Sequence, residues 1–160
     1  MSKASKTWRE KLEQGSPKIV DITPKMAGRF GTKIGDKMLI ARPLDVDALI
    51  RRVERGRLVT AEQLRERLAR DFHADLTCPL TTGIFIRIAA EAAEEDLDRG
   101  AKEITPYWRV VKADGSLNQK MPGGTEAQAA RLREEGHGIE PGRGKKPPRV
   151  KDFAEFVQKL

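Results

Sequence analysis

The segment from Thr77 to Val111 decides the fold, and it reads TCPLTTGIFIRIAAEAAEEDLDRGAKEITPYWRVV. Apolar residues recur at helical spacing from Ile84 to Ala92, which predicts a helix that begins near Pro79. Pro106 fixes its own φ angle and disfavours the helical region for the residue before it, so the helix has ended by that point. We therefore expect a long helix followed by a short extended piece.

Two aromatic residues and an arginine lie at this helix-to-strand junction. Tyr107, Trp108 and Arg109 follow the proline, and Val110-Val111 indicate the start of a strand. Side chains at such a junction can face a ligand instead of the core. The alternative is that both aromatic rings are buried.

Two further helices are predicted before this segment. Apolar residues recur at helical spacing from Val46 to Val53, after Asp45, whose residue type often caps helices, and Gly56 ends the pattern. Thr60 and Gln63 form a capping box that opens the next helix. Three helices joined by short turns are typical of a helix-turn-helix core.

The chain after the junction predicts a hairpin, a helix and a loop. Asp114-Gly115 is a turn signal that would fold Val110 to Leu117 into a β-hairpin. A helix is expected from Thr125 to Glu135, and residues 138–148 are rich in Gly, Pro and Lys/Arg, which indicates a mobile basic loop. The expected fold class is mostly α with small β parts, in the form of a winged helix-turn-helix.

This pattern divides the chain into three parts. Residues 1–43 would form a basic N-terminal extension with one short helix and two extended pieces. Residues 44–136 would form the winged-helix domain, and residues 137–160 the basic loop with a C-terminal amphipathic segment.

The charge is strongly basic and unevenly distributed. The formal net charge is +7 over 160 residues, which favours polyanions as partners. Residues 1–40 carry nine Lys/Arg and four acids, a net of +5, and residues 141–151 carry five basic residues and no acid. Residues 91–98 are acidic instead, so we expect one positive face.

The composition argues against several classes of protein. One cysteine, Cys78, rules out an internal disulfide and is typical of a reducing cytoplasm. Cys78, His73 and His137 are too few and too widely spaced to form a structural zinc site. We expect neither metal nor cofactor. The chain has no apolar run long enough to span a bilayer, so we expect no membrane partner. We also expect the protein to be a monomer.

Three segments of the chain, taken together in their order and spacing, indicate a protein family. The first runs from Ala48 to Thr60, the second is Cys78-Pro79-Leu80-Thr81-Thr82-Gly83, and the third is Pro106-Tyr107-Trp108-Arg109-Val110-Val111 with Ala113-Asp114-Gly115 after it. With these segments the chain from about Leu44 to Gly136 resembles the DNA-binding domain of the O6-alkylguanine-DNA alkyltransferases. It looks closest to their non-catalytic relatives, the alkyltransferase-like proteins.

The resemblance also marks the positions that depart from the family. Tyr107 stands where the family has its acceptor cysteine, and Trp108 where it has the activating histidine. Alkyl transfer needs an activated thiolate, so transfer at this position is excluded on chemical grounds. Ala61 stands where the family has a tyrosine that pushes the DNA phosphate, and Gly83 where it has an arginine that fills the vacated base stack. The nearest arginine on that helix is Arg87.

The resemblance implies a protein that binds double-stranded DNA without alkyl transfer and recognises alkylated guanine for repair. Thr81, Thr82 and Arg87 would contact the backbone or a groove, because a helix N-terminus offers free N–H groups and a favourable dipole to phosphates. Arg109 would hold the junction near the nucleic acid. Tyr107 and Trp108 would line a base pocket, because aromatic rings can stack on a base that has left its duplex. The alternatives are helix capping for the threonines and a structural ion pair for Arg109.

Two other functions fit the same sequence. The basic segments Lys3 to Lys18 and Arg143 to Lys151 would suit an RNA- or ribosome-associated adaptor that uses the winged helix as a scaffold. A methylated-DNA–protein-cysteine methyltransferase would need Cys78 as acceptor, activated by the neighbouring helix N-terminus. The alternative for Cys78 is a small buried thiol.

Overall fold

A computed structural model describes residues 5–160 of the chain. The helices are α1 (Trp8–Leu12), α2 (Pro43–Ile50), α3 (Ala61–Asp71), α4 (Pro79–Asp98) and α5 (Gly124–Glu134). The strands are β1 (Lys18–Asp21), β2 (Lys37–Ile40), β3 (Val59–Thr60), β4 (Leu76–Thr77), β5 (Val110–Val111), β6 (Ile139–Glu140) and β7 (Arg149–Val150). The fold class is therefore mostly helical with small sheets, as predicted.

The helix-turn-helix core follows from its capping residues and its apolar faces. Thr60 caps α3, and the Gln63 side chain returns the bond, so the predicted capping box is confirmed. Helix α2 begins at Pro43, two residues before the predicted cap, and Asp45 accepts a hydrogen bond from the Arg42 N–H at 3.0 Å. Helices α2 and α3 both pack against α4, the longest helix among the described residues.

The strand after the junction pairs differently from the predicted hairpin. β5 pairs in parallel with β3, so Val59 lies beside Val110. The expected turn does form, because the Gly115 N–H donates to the Lys112 carbonyl at 2.8 Å. The Ser116 carbonyl accepts one bond from the Lys112 N–H at 3.0 Å, but the pairing goes no further toward β5, and Ser116 forms its β-bridge with Arg149. Distant strands thus replace the local partner that the sequence suggested.

A single apolar core joins residues from the beginning, middle and end of the chain. Leu12, Leu39, Leu64, Leu132 and Val150 all belong to it. A smaller cluster of Ile22, Met38 and Cys78 lies beside the three-stranded sheet β1-β2-β4. Within residues 5–160 no helix is both long and apolar enough to cross a membrane.

Candidate nucleic-acid interface

The first half of α4 presents an exposed face to solvent. Leu80 is 62% exposed and Ile84 is 51% exposed, and Gly83 and Arg87 are exposed on the same face. These four residues, the open face of α4, recur at the spacing that places side chains on one side of a helix. The opposite side is buried in the core and holds Ile86, Ala89 and Ala90. The open face is therefore presented on a rigid support.

Two neighbouring clefts lie along α4, the first of them lined by the open face, and both contain basic side chains. The first, the loop cleft, has a volume of about 600 Å³ and lies between α1, α4 and the loop 112–120. Its basic lining residues are Lys11, Arg87, Lys112 and Lys120. The second, the α1 cleft, has a volume of about 800 Å³, and its basic lining residues are Lys6, Lys11, Lys18 and Arg42. Within residues 5–160 no carboxylate lines either cleft.

Trp8 lies beside the open face and helps to position its cations. The Lys11 ammonium is 4.2 Å from the centre of the Trp8 ring, and the Arg87 guanidinium carbon is 5.9 Å from it. Such cation–π contacts orient a charge without neutralising it. The acidic second half of α4 fixes this arrangement, because Glu95 accepts hydrogen bonds from the N–H groups of Trp8 and Arg9, both at 3.1 Å.

Arg87 is placed where the sequence predicted it, on the exposed side of α4. Its nearest carboxylate oxygen, on Glu91, is 3.9 Å away, and the arginine side chain is 53% exposed. An exposed pair at this distance contributes little to stability, so the guanidinium is available to an outside anion.

The two threonines serve the helix itself. The Thr82 hydroxyl donates to the Cys78 carbonyl at 2.7 Å, and the Thr81 hydroxyl donates to the same carbonyl at 3.4 Å. Thr82 is 2% exposed, so its hydroxyl does not reach a phosphate in this structure. The predicted contact is corrected for Thr82, and its side chain stabilises the first turn of α4.

The predicted base pocket is occupied by packed side chains, because both rings belong to the core. Tyr107 is 1% exposed and donates from its hydroxyl to the Glu94 carboxylate at 2.6 Å. Burial and the Glu94 carboxylate raise the pKa of Tyr107 well above its ordinary value, so the phenol stays protonated at neutral pH. The Trp108 indole N–H donates to Glu135 at 2.6 Å, and Arg131 stacks 4.4 Å above the indole ring.

Arg109 is also committed to the interior. Its Nε donates to Glu135 at 2.9 Å and its Nη1 donates to the Val53 carbonyl at 2.6 Å, and the side chain is 13% exposed. Burial would raise the pKa of Glu135, but hydrogen bonds from Arg109, the Gly56 N–H and Trp108 lower it overall. In this structure Arg109 therefore forms an internal ion pair with Glu135, which is the alternative that the sequence left open for it.

Cys78 lies in a different part of the molecule from Tyr107. It is 7% exposed and lines an apolar cavity of about 110 Å³ with Met26, Met38 and Leu80. Among the residues that the structure describes, those lining this cavity include neither a histidine nor a carboxylate that could activate the thiol. The same described residues hold no cluster of metal-binding side chains.

No local pattern in the sequence singles out Lys11, Lys112 and Lys120. Each is one lysine among many, and two separate parts of the chain, α1 and the loop 112–120, bring them to one cleft. The uneven charge distribution pointed to a positive face but could not place it. Lys3, which belongs to the predicted basic N-terminal segment, lies outside the described residues.

Comparisons with known proteins match the fold weakly and the sequence not at all. No protein-family model matches the chain, and no curated protein matches it. The crystal structure of S. pombe Atl1 in complex with damaged DNA containing O6-carboxymethylguanine matches with a TM-score of 0.48 and 18% identity, over 74% of this chain and 94% of that chain. A second structure, of S. pombe ATL in complex with DNA, has a TM-score of 0.46, 17% identity and the same coverage. This likeness concerns the fold and assigns no ligand.

Proposed function

We propose that this protein binds double-stranded DNA through the open face of α4 and the two basic clefts beside it. One observation carries the proposal: the lining of both clefts includes several basic side chains and, within residues 5–160, no carboxylate. The two clefts share Lys11 and Ile88, so they lie next to each other along α4 and could contact neighbouring phosphates of one duplex. Leu80 and Ile84 would then meet sugars and base edges between the phosphate contacts.

The proposed binding does not include alkyl transfer. Tyr107 presents a buried phenol with a raised pKa, which is a poor nucleophile at neutral pH. The resemblance of residues 44–136 extends the proposal to alkylated guanine as the lesion that is recognised. Because the Tyr107 and Trp108 rings are buried, another surface of the protein would have to contact the alkylated guanine. Recognition of the lesion is therefore tested separately from duplex binding.

The first test measures the affinity for a fluorescent DNA duplex by anisotropy at several salt concentrations. The slope of log K against log salt is about −0.9 for each phosphate contact. We expect Arg87→Ala to reduce the slope by about one unit and the double variant Lys112→Ala/Lys120→Ala to reduce it by about two. The matched control is Lys102→Ala/Lys159→Ala, which removes the same charge as the double variant from exposed positions outside both clefts. Equal losses in this control and in the cleft double variant would contradict the proposal.

Two further binding comparisons and a labelling assay separate the other functions. A duplex with O6-methylguanine should bind more tightly than the plain duplex if the lesion is recognised. Tighter binding to structured RNA than to DNA would favour the RNA-associated adaptor. Transfer of a labelled methyl group to the protein that disappears in Cys78→Ala would show a methyltransferase and overturn the non-catalytic proposal.

A further inference from the structure

The segment predicted to be a mobile basic loop is an ordered hairpin. In this basic hairpin, residues 139–150, β6 pairs antiparallel with β7, and Ile139 lies beside Val150. The turn is closed by two hydrogen bonds, from the Arg143 N–H to the Lys146 carbonyl at 3.1 Å and from the Lys146 N–H to the Arg143 carbonyl at 2.9 Å. A Cβ atom at Gly142 would lie 2.4 Å from the Lys146 carbonyl oxygen, so glycine is required for the close packing of this turn.

The basic hairpin is fixed to the same loop that lines the loop cleft. The Val150 N–H donates to the Gly115 carbonyl at 3.0 Å, and the Leu117 N–H donates to the Pro148 carbonyl at 2.9 Å. Val150 itself is fully buried in the core. The hairpin is therefore held in a fixed position relative to the loop that carries Lys112 and Lys120.

The hairpin and the residue after it carry five exposed cations, which are Arg143, Lys145, Lys146, Arg149 and Lys151. In the part of the chain that the structure describes, Arg149 is the only one of the five with a carboxylate oxygen within 4.0 Å, and this oxygen belongs to Glu140. Arg143, Lys146 and Arg149 line a concavity of about 400 Å³ together with Glu140. Three cations against one carboxylate leave this concavity positive, and a positive surface of this kind is suited to a polyanion backbone.

We propose that the basic hairpin is a second phosphate-binding site, which contacts the same duplex beyond the stretch held by α4. This inference rests on the proposed function. It places the extra contacts outside residues 44–136, the region that the alkyltransferase resemblance covers. Since phosphate contacts carry no base information, the hairpin adds affinity and salt dependence but leaves any lesion preference unchanged.

The test compares two duplex lengths with two triple variants. One duplex has about 10 base pairs, one helical turn of about 34 Å, and the other has about 24 base pairs. The hairpin variant is Arg143→Ala/Lys145→Ala/Lys146→Ala, and the control is Lys33→Ala/Lys102→Ala/Lys159→Ala, which removes the same number of exposed charges elsewhere. All six positions are exposed, so both variants should fold, and circular dichroism verifies this.

The hairpin variant should lose up to about 2.7 units of salt slope on the long duplex, about 0.9 for each phosphate contact, and almost none on the short duplex. The control should keep the slope of the unmodified protein on both. An unchanged slope on the long duplex would overturn the inference, and so would equal losses on both duplexes or in the control. A loss of affinity for double-stranded RNA but not for DNA would also overturn it.

Failure of this inference is distinguishable from failure of the proposed function. If the cleft variants Arg87→Ala and Lys112→Ala/Lys120→Ala lower the slope while the hairpin variant does not, α4 binds DNA and the hairpin has no part in binding. If the unmodified protein binds neither duplex, the proposed function itself is wrong.

Discussion

The junction Tyr107–Arg109 and the open face of α4 both offer side chains of the kinds that bind nucleic acids, but they differ in what surrounds them. At the junction, the Tyr107 hydroxyl, the Trp108 indole N–H and the Arg109 guanidinium all have carboxylate partners inside the protein. On the open face, the guanidinium of Arg87 has one carboxylate neighbour at 3.9 Å.

This difference assigns separate tasks to the two regions. Buried polar groups must be hydrogen-bonded, and the junction satisfies this through Glu94 and Glu135, so it contributes to stability. Exposed cations without close partners repel one another and gain free energy when a polyanion arrives. The comparison predicts that substitutions at the junction change the free energy of unfolding, whereas substitutions on the open face change binding.

The largest effect is expected at Glu135. Glu135→Ala removes the partner of Arg109 and Trp108 and leaves a guanidinium that is 13% exposed without its ion pair. Breaking a buried pair from one side costs about 3–5 kcal/mol, which urea denaturation would measure as a lower midpoint. Glu134→Ala, at the exposed neighbouring position, is the control and should stay within about 0.5 kcal/mol. A small loss of stability with a large loss of duplex affinity would show that the junction binds DNA after all.

A smaller effect is expected for Tyr107→Phe, which removes one hydroxyl from the core. The Glu94 carboxylate keeps its bond from Arg131 at 2.7 Å, so it is not left unpaired. Loss of a hydrogen bond to a charged group then costs about 1.5 kcal/mol. The duplex affinity of the folded variant should be unchanged. If this variant instead loses a preference for O6-methylguanine at full stability, the ring is part of a base pocket that opens on binding.

The helices of this fold can be predicted from local sequence patterns, but the burial of Tyr107 and Trp108 cannot. The capping box of Thr60 and Gln63 predicts the start of α3, and the spacing of apolar residues predicts α4. Whether Tyr107 faces inward depends on Glu94, 13 residues away, and the position of Trp108 depends on Glu135, 27 residues away. No local pattern encodes such long-range pairs.

The same limit explains the errors in the strands. Asp114-Gly115 correctly predicted a turn. The strand partners depend instead on the packing of distant segments, since β5 pairs with β3 and Ser116 pairs with Arg149. The basic segment looked mobile because its composition is rich in glycine and proline. Its order comes from hydrogen bonds to Gly115 and Leu117, more than twenty residues earlier in the chain.

Gly83→Ala, on the open face, should raise the free energy of unfolding, whereas the substitutions at the junction lower it. A glycine inside a helix destabilises it by about 0.5–1 kcal/mol relative to alanine, and a Cβ atom at Gly83 would meet no atom within 4 Å. The variant should therefore be more stable by about that amount. Its duplex affinity should fall, because the added methyl group holds the DNA away from the helix. Ala130→Gly, at an exposed position of α5, calibrates the helix effect and should leave affinity unchanged. If Gly83→Ala binds as tightly as the unmodified protein, the duplex does not approach α4 at this point.

The smallest effect concerns His137, which lies next to the junction and is 5% exposed. Its ring packs edge-on against Phe156 at 4.8 Å, and within the described residues neither ring nitrogen has a hydrogen-bond partner. Burial lowers the pKa of His137 below its ordinary value of 6.5, and the nearby Glu135 carboxylate opposes this only in part.

Below pH 6.5 the His137 ring is protonated in the unfolded chain but stays neutral in the folded protein until the pH reaches its lowered pKa. The free energy of unfolding is therefore highest above pH 6.5 and decreases as the pH falls from 6.5 through the lowered pKa. We expect thermal unfolding between pH 5 and pH 7 to show this loss. It should disappear in His137→Phe and persist in His73→Asn, which replaces the other histidine and tolerates its positive φ of 55°. If the loss of stability persisted in His137→Phe, the buried His137 ring would not be its source, and this prediction would be wrong.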